Sequence, residues 1–334
     1  MMPAMHQLIS VILPVHNAGH YFQQALTSVL QQSYENFELI IVDDHSDDHA
    51  LDWLPNDPRI RLIQSKTQGL VGALNSGLEI AQGDFFARMD ADDINHSQRF
   101  EQQLRFLQTH KDIDICSCKI KIFSEYQTLG QGYRLYQQWL NQQLNHEQIE
   151  RAMFIESPIV HPSIMMPMER AKQIAPYQQN AWPEDYDFWL RALDKAYRFA
   201  KVEQTLFYWR DHLQRLTRTD KRYDKKSFFK IKAKHLAKRL SYHNNIFIWG
   251  TGPTGLLLHD ELCKNQINIQ GFIDVHPRRI GQHKRDKPVL DIESGVKTAD
   301  FILVAVAHRG IREKINEYLL SNKKQAMLDF VHCA

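Results

Sequence analysis

The 334-residue sequence has only four cysteines, Cys116, Cys118, Cys263 and Cys333, scattered too widely for a disulfide framework. Cys116-x-Cys118 reads as part of a strand, not as a metal site. No apolar run approaches the ~18 residues needed to cross a bilayer. The longest run, Phe301–Ala307, falls far short of that. No strong charge of one sign is present, because the formal net charge is only +2. Low-complexity segments and internal repeats are missing too. The first strand-like run is entered without a basic or cleavable apolar leader, which predicts a protein that is not secreted. These absences point to a reduced, cytoplasmic, globular protein.

What is present is an alternation of strand-like and helix-like segments. Leu8–Val15, Phe37–Val42, Ile60–Ile63 and Asp84–Met89 read as strands. Between the first two, Phe22, Ala25, Leu26, Val29 and Leu30 recur at helical spacing. A second helix carries Leu70, Leu74, Leu78 and Ala81, with Gly83 as its expected C-cap. A third carries Phe100, Leu104 and Leu107. Such alternation predicts a mainly parallel sheet covered on both faces. Further on, 134–154 reads as helix, 159–166 as strand and 183–194 as helix.

The stretch from Arg218 to Arg239 holds ten Lys or Arg against Asp220 and Asp224, a local net charge of +8. The rest of the chain therefore sums to −6. This stretch is expected to be one basic helix linking two halves. It is either a solvated connector or, with Phe228, Phe229, Ile231 and Leu236, a surface for an acidic partner or for anionic lipid headgroups, the latter a peripheral contact of residues 218–239 with the inner face of a membrane. No base-reading or stacking pattern accompanies it, so no nucleic-acid partner is expected.

Polar clusters end three of the early strands. Pro14-Val15-His16-Asn17 ends the first, Asp43-Asp44 the second and Asp90-Ala91-Asp92-Asp93 the fourth. In an open parallel sheet the carboxyl ends of strands share one edge, where ligands bind. Each cluster also has a plain structural reading. Acidic turns cap helices, and Asn17 reads equally well as the N-cap of the first helix. Convergence on one edge favours a site. Asp43 and Asp44 suit the N–H groups of a base or ribose hydroxyls, and Asp90, Asp92 and Asp93 suit Mg²⁺ or Mn²⁺ beside a diphosphate. Downstream, Glu184-Asp185-Tyr186-Asp187 opens a helix, and a carboxylate there is placed to act as a general base.

Residues 8 to about 215 resemble the family 2 glycosyltransferases, which have the GT-A nucleotide-diphospho-sugar transferase fold. The matching stretches are Ser10–Asn17, Ile41–Ser46, Arg88–Asp93, Arg99-Phe100-Glu101, His161-Pro162-Ser163, Glu184–Arg191 and Tyr208–His212. The resemblance implies that Asp44 contacts the base, that Asp90 and Asp92 are metal and ribose ligands, and that Asp93 supports them. It implies Asp185 as catalytic base, with Glu184 orienting the acceptor. It further implies single displacement with inversion, from a nucleotide-sugar donor to a saccharide or lipid-linked acceptor, in surface polysaccharide or glycolipid synthesis. His161, Arg210 and His212 are expected to shape the acceptor pocket or approach the diphosphate. Two positions depart from the family pattern: His45 stands where glycine is usual, and His16 where tyrosine is common.

After the basic stretch, Asn245–Trp249 reads as a strand ending in Gly250-Thr251-Gly252-Pro253-Thr254-Gly255, followed by a helix and the strand Ile269–Ile273. Asp274 lies nineteen residues beyond Gly255. Gly250, Gly252, Gly255 and Asp274 fit a dinucleotide fingerprint and make NAD(P) or another nucleotide a second candidate ligand. Pro253 inside the loop counts against this, and tight glycines also serve helix–strand packing. The expected organisation is therefore an α/β chain with a GT-A domain over residues 1–215. A basic helical linker follows over 216–243, then a small Rossmann-like α/β domain over 244–334. The competing readings are an NAD(P)-binding oxidoreductase and a non-catalytic nucleotide-binding scaffold.

Overall fold

The computed structural model describes residues 7–126, 128–308 and 310–334. In chain order the first part comprises β1 (Ile9–Val15), α1 (Tyr21–Leu30), β2 (Phe37–Asp43), β3 (Ile60–Gln64), α2 (Leu70–Ile80), β4 (Phe85–Arg88), β5 (Ile94–Asn95) and α3 (Arg99–Thr109). It continues with β6 (Ile115–Phe123), α4 (Gln131–Gln142), α5 (His146–Ala152), β7 (Met165–Pro167), α6 (Met168–Ile174), α7 (Glu184–Asp194) and β8 (Phe199–Arg210). The remainder comprises α8 (Leu216–Thr219), α9 (Lys225–Leu240), β9 (Ile246–Trp249), α10 (Pro253–Lys264), β10 (Ile269–Ile273), β11 (His283–Lys284) and β12 (Lys287–Leu290). It closes with α11 (Ile292–Thr298), β13 (Phe301–Val304), α12 (Ile311–Ser321) and β14 (Phe330–His332). The chain divides into two compact units. The first is Met1–Ile149, Pro158–Asn180 and Glu184–Thr219, and the second is Glu150–Ser157, Ala181–Pro183 and Asp220–Ala334.

The first unit is built on an eight-stranded sheet of order β3-β2-β1-β4-β7-β6-β8-β5. The run β3-β2-β1-β4 and the pair β6-β8 are parallel, while β7 and β5 pair antiparallel with their neighbours. Every residue of β1 is buried, as a strand covered on both faces requires. In register, Val15 lies opposite Asp43 and Ile12 opposite Arg88, so the ends of β2, β1 and β4 stand side by side. The GT-A-type fold with its mainly parallel sheet is thus present, and a second, smaller α/β sheet follows it.

Several local expectations are corrected. The second helix ends at Ile80 with Ala81 as its C-cap, so Gly83 is not the cap. A Cβ at Gly83 would lie 2.6 Å from the Ser10 nitrogen and 2.7 Å from the Leu8 oxygen, so glycine is there because a backbone passes close by. The helix expected over 134–154 is two helices. Asn145 breaks it: its Oδ1 accepts from Gln148 N at 3.0 Å, while Gln148 Oε1 accepts from Leu144 N at 2.9 Å, a reciprocal cap that starts α5. Residues 159–166 are not one strand, because Pro162 sits in a 3₁₀ turn, His161–Ser163, before β7 begins.

In the second unit β12-β10-β9-β13-β14 are parallel, with β11 antiparallel at the edge. The basic stretch is not a separate connecting helix. It is broken into α8, a 3₁₀ turn and α9, and α9 belongs to the second unit. Its two acids are the punctuation: Asp220 accepts from Arg222 N, and Asp224 caps α9 by accepting from Ser227 N at 2.7 Å. Phe229, Ile231 and Leu236 are buried in the core, and Lys232 donates inward to the carbonyls of Ile155 and Cys333. These apolar side chains are therefore not on offer to a membrane surface. Among the described residues, no helix is long and apolar enough to cross a membrane.

Candidate active site

The ends of β1 and β2 are tied together by their loops. Asn17 Oδ1 accepts from Asp47 N at 2.9 Å, and Asn17 N donates to Ser46 Oγ at 3.3 Å. The residue before α1 is His20, so Asn17 is not its N-cap; at φ +49° it turns the chain in the left-handed region. Pro14 is buried in β1 opposite Val42. Asp43 Oδ1 accepts from Ser46 N at 2.9 Å, closing a turn in which His45 takes φ +58°. That backbone conformation favours glycine and explains why glycine suits this position. Asp44 is almost fully buried, and both its oxygens accept from Gly69 N, at 2.8 and 3.0 Å, at the start of α2. The carboxylate is therefore anchored by the positive end of that helix.

The acidic loop after β4 is held from three sides. Asp90 Oδ1 lies 2.6 Å from Arg88 Nη2. Asp92 Oδ2 lies 2.8 Å from His212 Nε2. Asp93 is fully buried; its Oδ1 accepts from Arg210 N at 2.7 Å, while its Oδ2 has no partner among the described residues. Burial lifts the pKa of Asp90, and Arg88 offsets this only in part. Burial works the same way on Asp92, but there the His212 bond and the charge of Arg215 outweigh it and hold the group below its usual value. For Asp93, burial followed by the charges of Asp92 and Asp90 pushes the pKa well up.

Carboxylate oxygens of Asp90, Asp92 and Asp93 all lie within 4.8 Å of one another. An oxygen-only donor set suits a hard divalent cation, and the orphaned Asp93 Oδ2 is the acceptor such an ion would satisfy. The residues fit Mg²⁺ or Mn²⁺. The repulsion within the cluster is also relieved by protein groups, Arg88 on Asp90 and His212 on Asp92.

Arg210 is not open to an acceptor or a diphosphate. It is buried between the rings of Tyr21 and Phe123, and its Nε donates to Asp92 O at 2.6 Å. Its remaining nitrogens bind Gln24 and Glu125. It buttresses the acidic loop from below. His161 is likewise interior: its Nε2 is 2.7 Å from Tyr177 OH, among the rings of Phe188 and Trp189. Burial, followed by the charge of Arg88, holds this imidazole well below its ordinary pKa.

On α7, Glu184 is buried and Asp185 half-buried, with Asp185 Oδ1 accepting from Tyr186 N at 2.7 Å. Burial, followed by the charge of Glu184, raises the Asp185 pKa to about 7, which Arg88 partly opposes. A carboxylate poised there is matched to taking a proton near neutral pH. Sequence reasoning missed Arg88, whose charge reaches Asp90, Tyr177 and Glu184. It also missed Asn75, which clamps the distant segment at Tyr177 through Tyr177 N at 2.8 Å and Tyr177 O at 2.9 Å. An amide in the middle of a largely apolar helix was the available signal.

In the second unit, Asp274 is fully engaged: it accepts from Thr251, from His276 N at 2.9 Å and from Arg279 Nη1 at 3.1 Å. A Cβ at Gly255 would collide with the Gly250 carbonyl oxygen, and Gly250 itself takes φ +116°. Gly250 and Gly255 are thus required by the packing of the loop on itself. A Cβ at Gly252, the residue capping α10, would meet open space.

Residues 10–171 match the family described as glycosyl transferase family 2. The Bacillus subtilis protein named "Putative glycosyltransferase EpsE" is 30% identical over 208 residues, 60% of this chain and 71% of its own. "Uncharacterized glycosyltransferase MJ1057" of Methanocaldococcus jannaschii is 26% identical over 254 residues, 72% of this chain and 84% of its own. The crystal structure of S. aureus TarS 1-349 in complex with UDP-GlcNAc superposes with a TM-score of 0.54 at 19% identity, covering 70% of this chain and 73% of that one, a likeness of fold. The chain belongs to the family 2 glycosyltransferases.

Proposed function

We propose that the protein transfers a sugar from a nucleotide-diphosphate donor to a hydroxyl acceptor by a single displacement with inversion, in the synthesis of a surface polysaccharide or glycolipid. The observation that carries the reading is the pairing of two acidic sites in the first unit. One is an oxygen cluster at the carboxyl edge of the sheet, and the other is Asp185, poised near neutral pH and within the field of the same arginine that binds Asp90.

In this reading Asp43 and Asp44 meet the base and ribose, while Asn17 and Pro14 shape the loop beside them. Asp90 and Asp92, supported by Asp93, would hold Mn²⁺ or Mg²⁺, which when bound neutralises charge on the departing diphosphate. Asp185 removes the proton of the acceptor hydroxyl as that oxygen bonds to the anomeric carbon. The bond from that carbon to the diphosphate oxygen breaks with its electron pair on the leaving group. Glu184 lies beside the base and orients the acceptor. One displacement inverts the anomeric centre, and no nucleophilic carboxylate is needed.

The fold neighbour TarS, seen with UDP-GlcNAc, supports a nucleotide-sugar donor. The test is a melting-temperature panel of UDP-, GDP-, dTDP- and CMP-sugars with and without Mn²⁺. Metal-dependent stabilisation by one nucleotide class is expected; its absence with all of them would sink the reading. Anomer analysis of the product then tests inversion.

A further inference from the structure

The last residue of β4, Arg88, is 2% exposed, and its main chain is fixed on both sides. Its nitrogen donates to Ile164 O, and its carbonyl accepts from Arg99 Nη2 at 2.9 Å. One nitrogen, Nη2, is on Asp90 at 2.6 Å. The other two, Nε and Nη1, are buried and have no hydrogen-bond partner among the described residues. A buried cation with two uncommitted donors is costly unless the surrounding field favours it. The groups around it explain its persistence. Asp90 comes from the loop after β4, Tyr177 from the segment before α7, and Glu184 and Asp185 from α7. His161, from the 3₁₀ turn, and Arg99, from α3, add no negative charge.

We propose that Arg88 is a positioning residue joining the two sides of the transfer: its Nη2 fixes Asp90 toward the donor, while the charge of the same buried guanidinium, whose other nitrogens are uncommitted, reaches Glu184 and Asp185. The proposal rests on the sugar-transfer reading above. A guanidinium suits this double duty because its planar fork commits one nitrogen and directs the others elsewhere, whereas an ammonium is a single point charge. The consequence is coupling. Any change in how Asp90 is held also changes the charge beside the base.

Two measurements on the full chain test this. The first is slow donor hydrolysis with Mn²⁺ and, separately, UDP-GlcNAc, UDP-glucose and GDP-mannose, across pH 5–9. Arg88→Lys is expected to raise the donor KM roughly 10-fold while leaving the acid limb of kcat in place. Arg88→Met is expected to raise KM and also move that limb upward by about one pH unit or more. Unchanged KM and an unmoved limb in Arg88→Met would overturn the proposal. Should that variant not fold, an unchanged KM in Arg88→Lys does so.

The second measurement needs no substrate: melting temperatures of Arg88→Met, Asp185→Asn and the double variant at pH 8. The gain from Asp185→Asn is expected to be larger in the Arg88→Met background than in the native protein, because neutralising the base there removes a charge that Arg88 no longer offsets. Strictly additive shifts would count against the coupling. If no donor is hydrolysed by the native protein yet the shifts are non-additive, the coupling stands and the nucleotide-sugar reading fails.

Discussion

His212 Nε2 sits 2.8 Å from Asp92 Oδ2, across 120 residues of sequence, and the bond, with the charge of Arg215, overcomes the effect of burial on that carboxyl. His212→Ala is therefore expected to weaken nucleotide-dependent Mn²⁺ binding about 10- to 100-fold, the usual effect of removing a supporting partner. Calorimetric titration of Mn²⁺ in the presence of UDP measures this. Affinity equal to that of the native protein would show that the bond carries nothing.

Asp185→Asn is expected to lower transfer about 10²- to 10⁴-fold while leaving donor binding within about twofold. Initial rates and donor titrations separate the two. A large loss of donor affinity would move Asp185 from the base position to the donor site.

The raised pKa of Asp185 also has a stability consequence. The group is held at about 7, against an ordinary aspartate value of 3.8. Its raised folded pKa adds stability that is complete below the unfolded value and is lost as pH rises through about 7. Asp185→Asn is accordingly expected to raise the melting temperature at pH 8, with the gain shrinking toward pH 5. The rate of the native enzyme should follow the opposite trend, climbing to a plateau above about pH 7 as the base ionises. A flat rate profile from pH 5 to 8 would exclude Asp185 as the base.

His45, at φ +58°, carries a strain that glycine does not. His45→Gly is expected to change stability by less than about 1 kcal/mol, because relief of strain offsets the entropy that glycine adds to the unfolded chain. His45→Val should cost about 1–2 kcal/mol, since a β-branched residue is least tolerant of that region. Denaturant midpoints compare the two.

Gly255→Ala should destabilise the second unit severely, because the added methyl meets a backbone oxygen that cannot swing aside. Thermal melts are expected to show early loss of that unit. A melt like that of the native protein would mean that the loop has room to shift.

Much of the site was legible in the chain because it depends on short-range chemistry. Apolar runs ending in Asp43-Asp44 and in Asp90–Asp93 announce strand ends, and parallel topology makes those ends neighbours whatever lies between them. What remained hidden concerned burial and partners. Arg210 and His161 look like pocket residues in sequence, because a charged or ring side chain next to a motif gives no sign of which way it points. Arg210 instead lies between Tyr21 and Phe123, and His161 against Tyr177. The basic stretch misled in a similar way. Its charge is real, but Phe229, Ile231 and Leu236 face the core, and a helix with many lysines does not reveal which stripe is covered.

The sequence by itself determined the alternation of strands and helices, the family and the positions of the carboxylates, because these follow from periodicity and from residue types at fixed spacing. Tertiary structure alone decided which hydrogen-bond donor answers which acid. Arg88 with Asp90 is a local pair, but His212 with Asp92, Arg210 with Asp93 and Gly69 with Asp44 join segments far apart in the chain. Charge state follows from such partners and from burial, and both are properties of the folded chain.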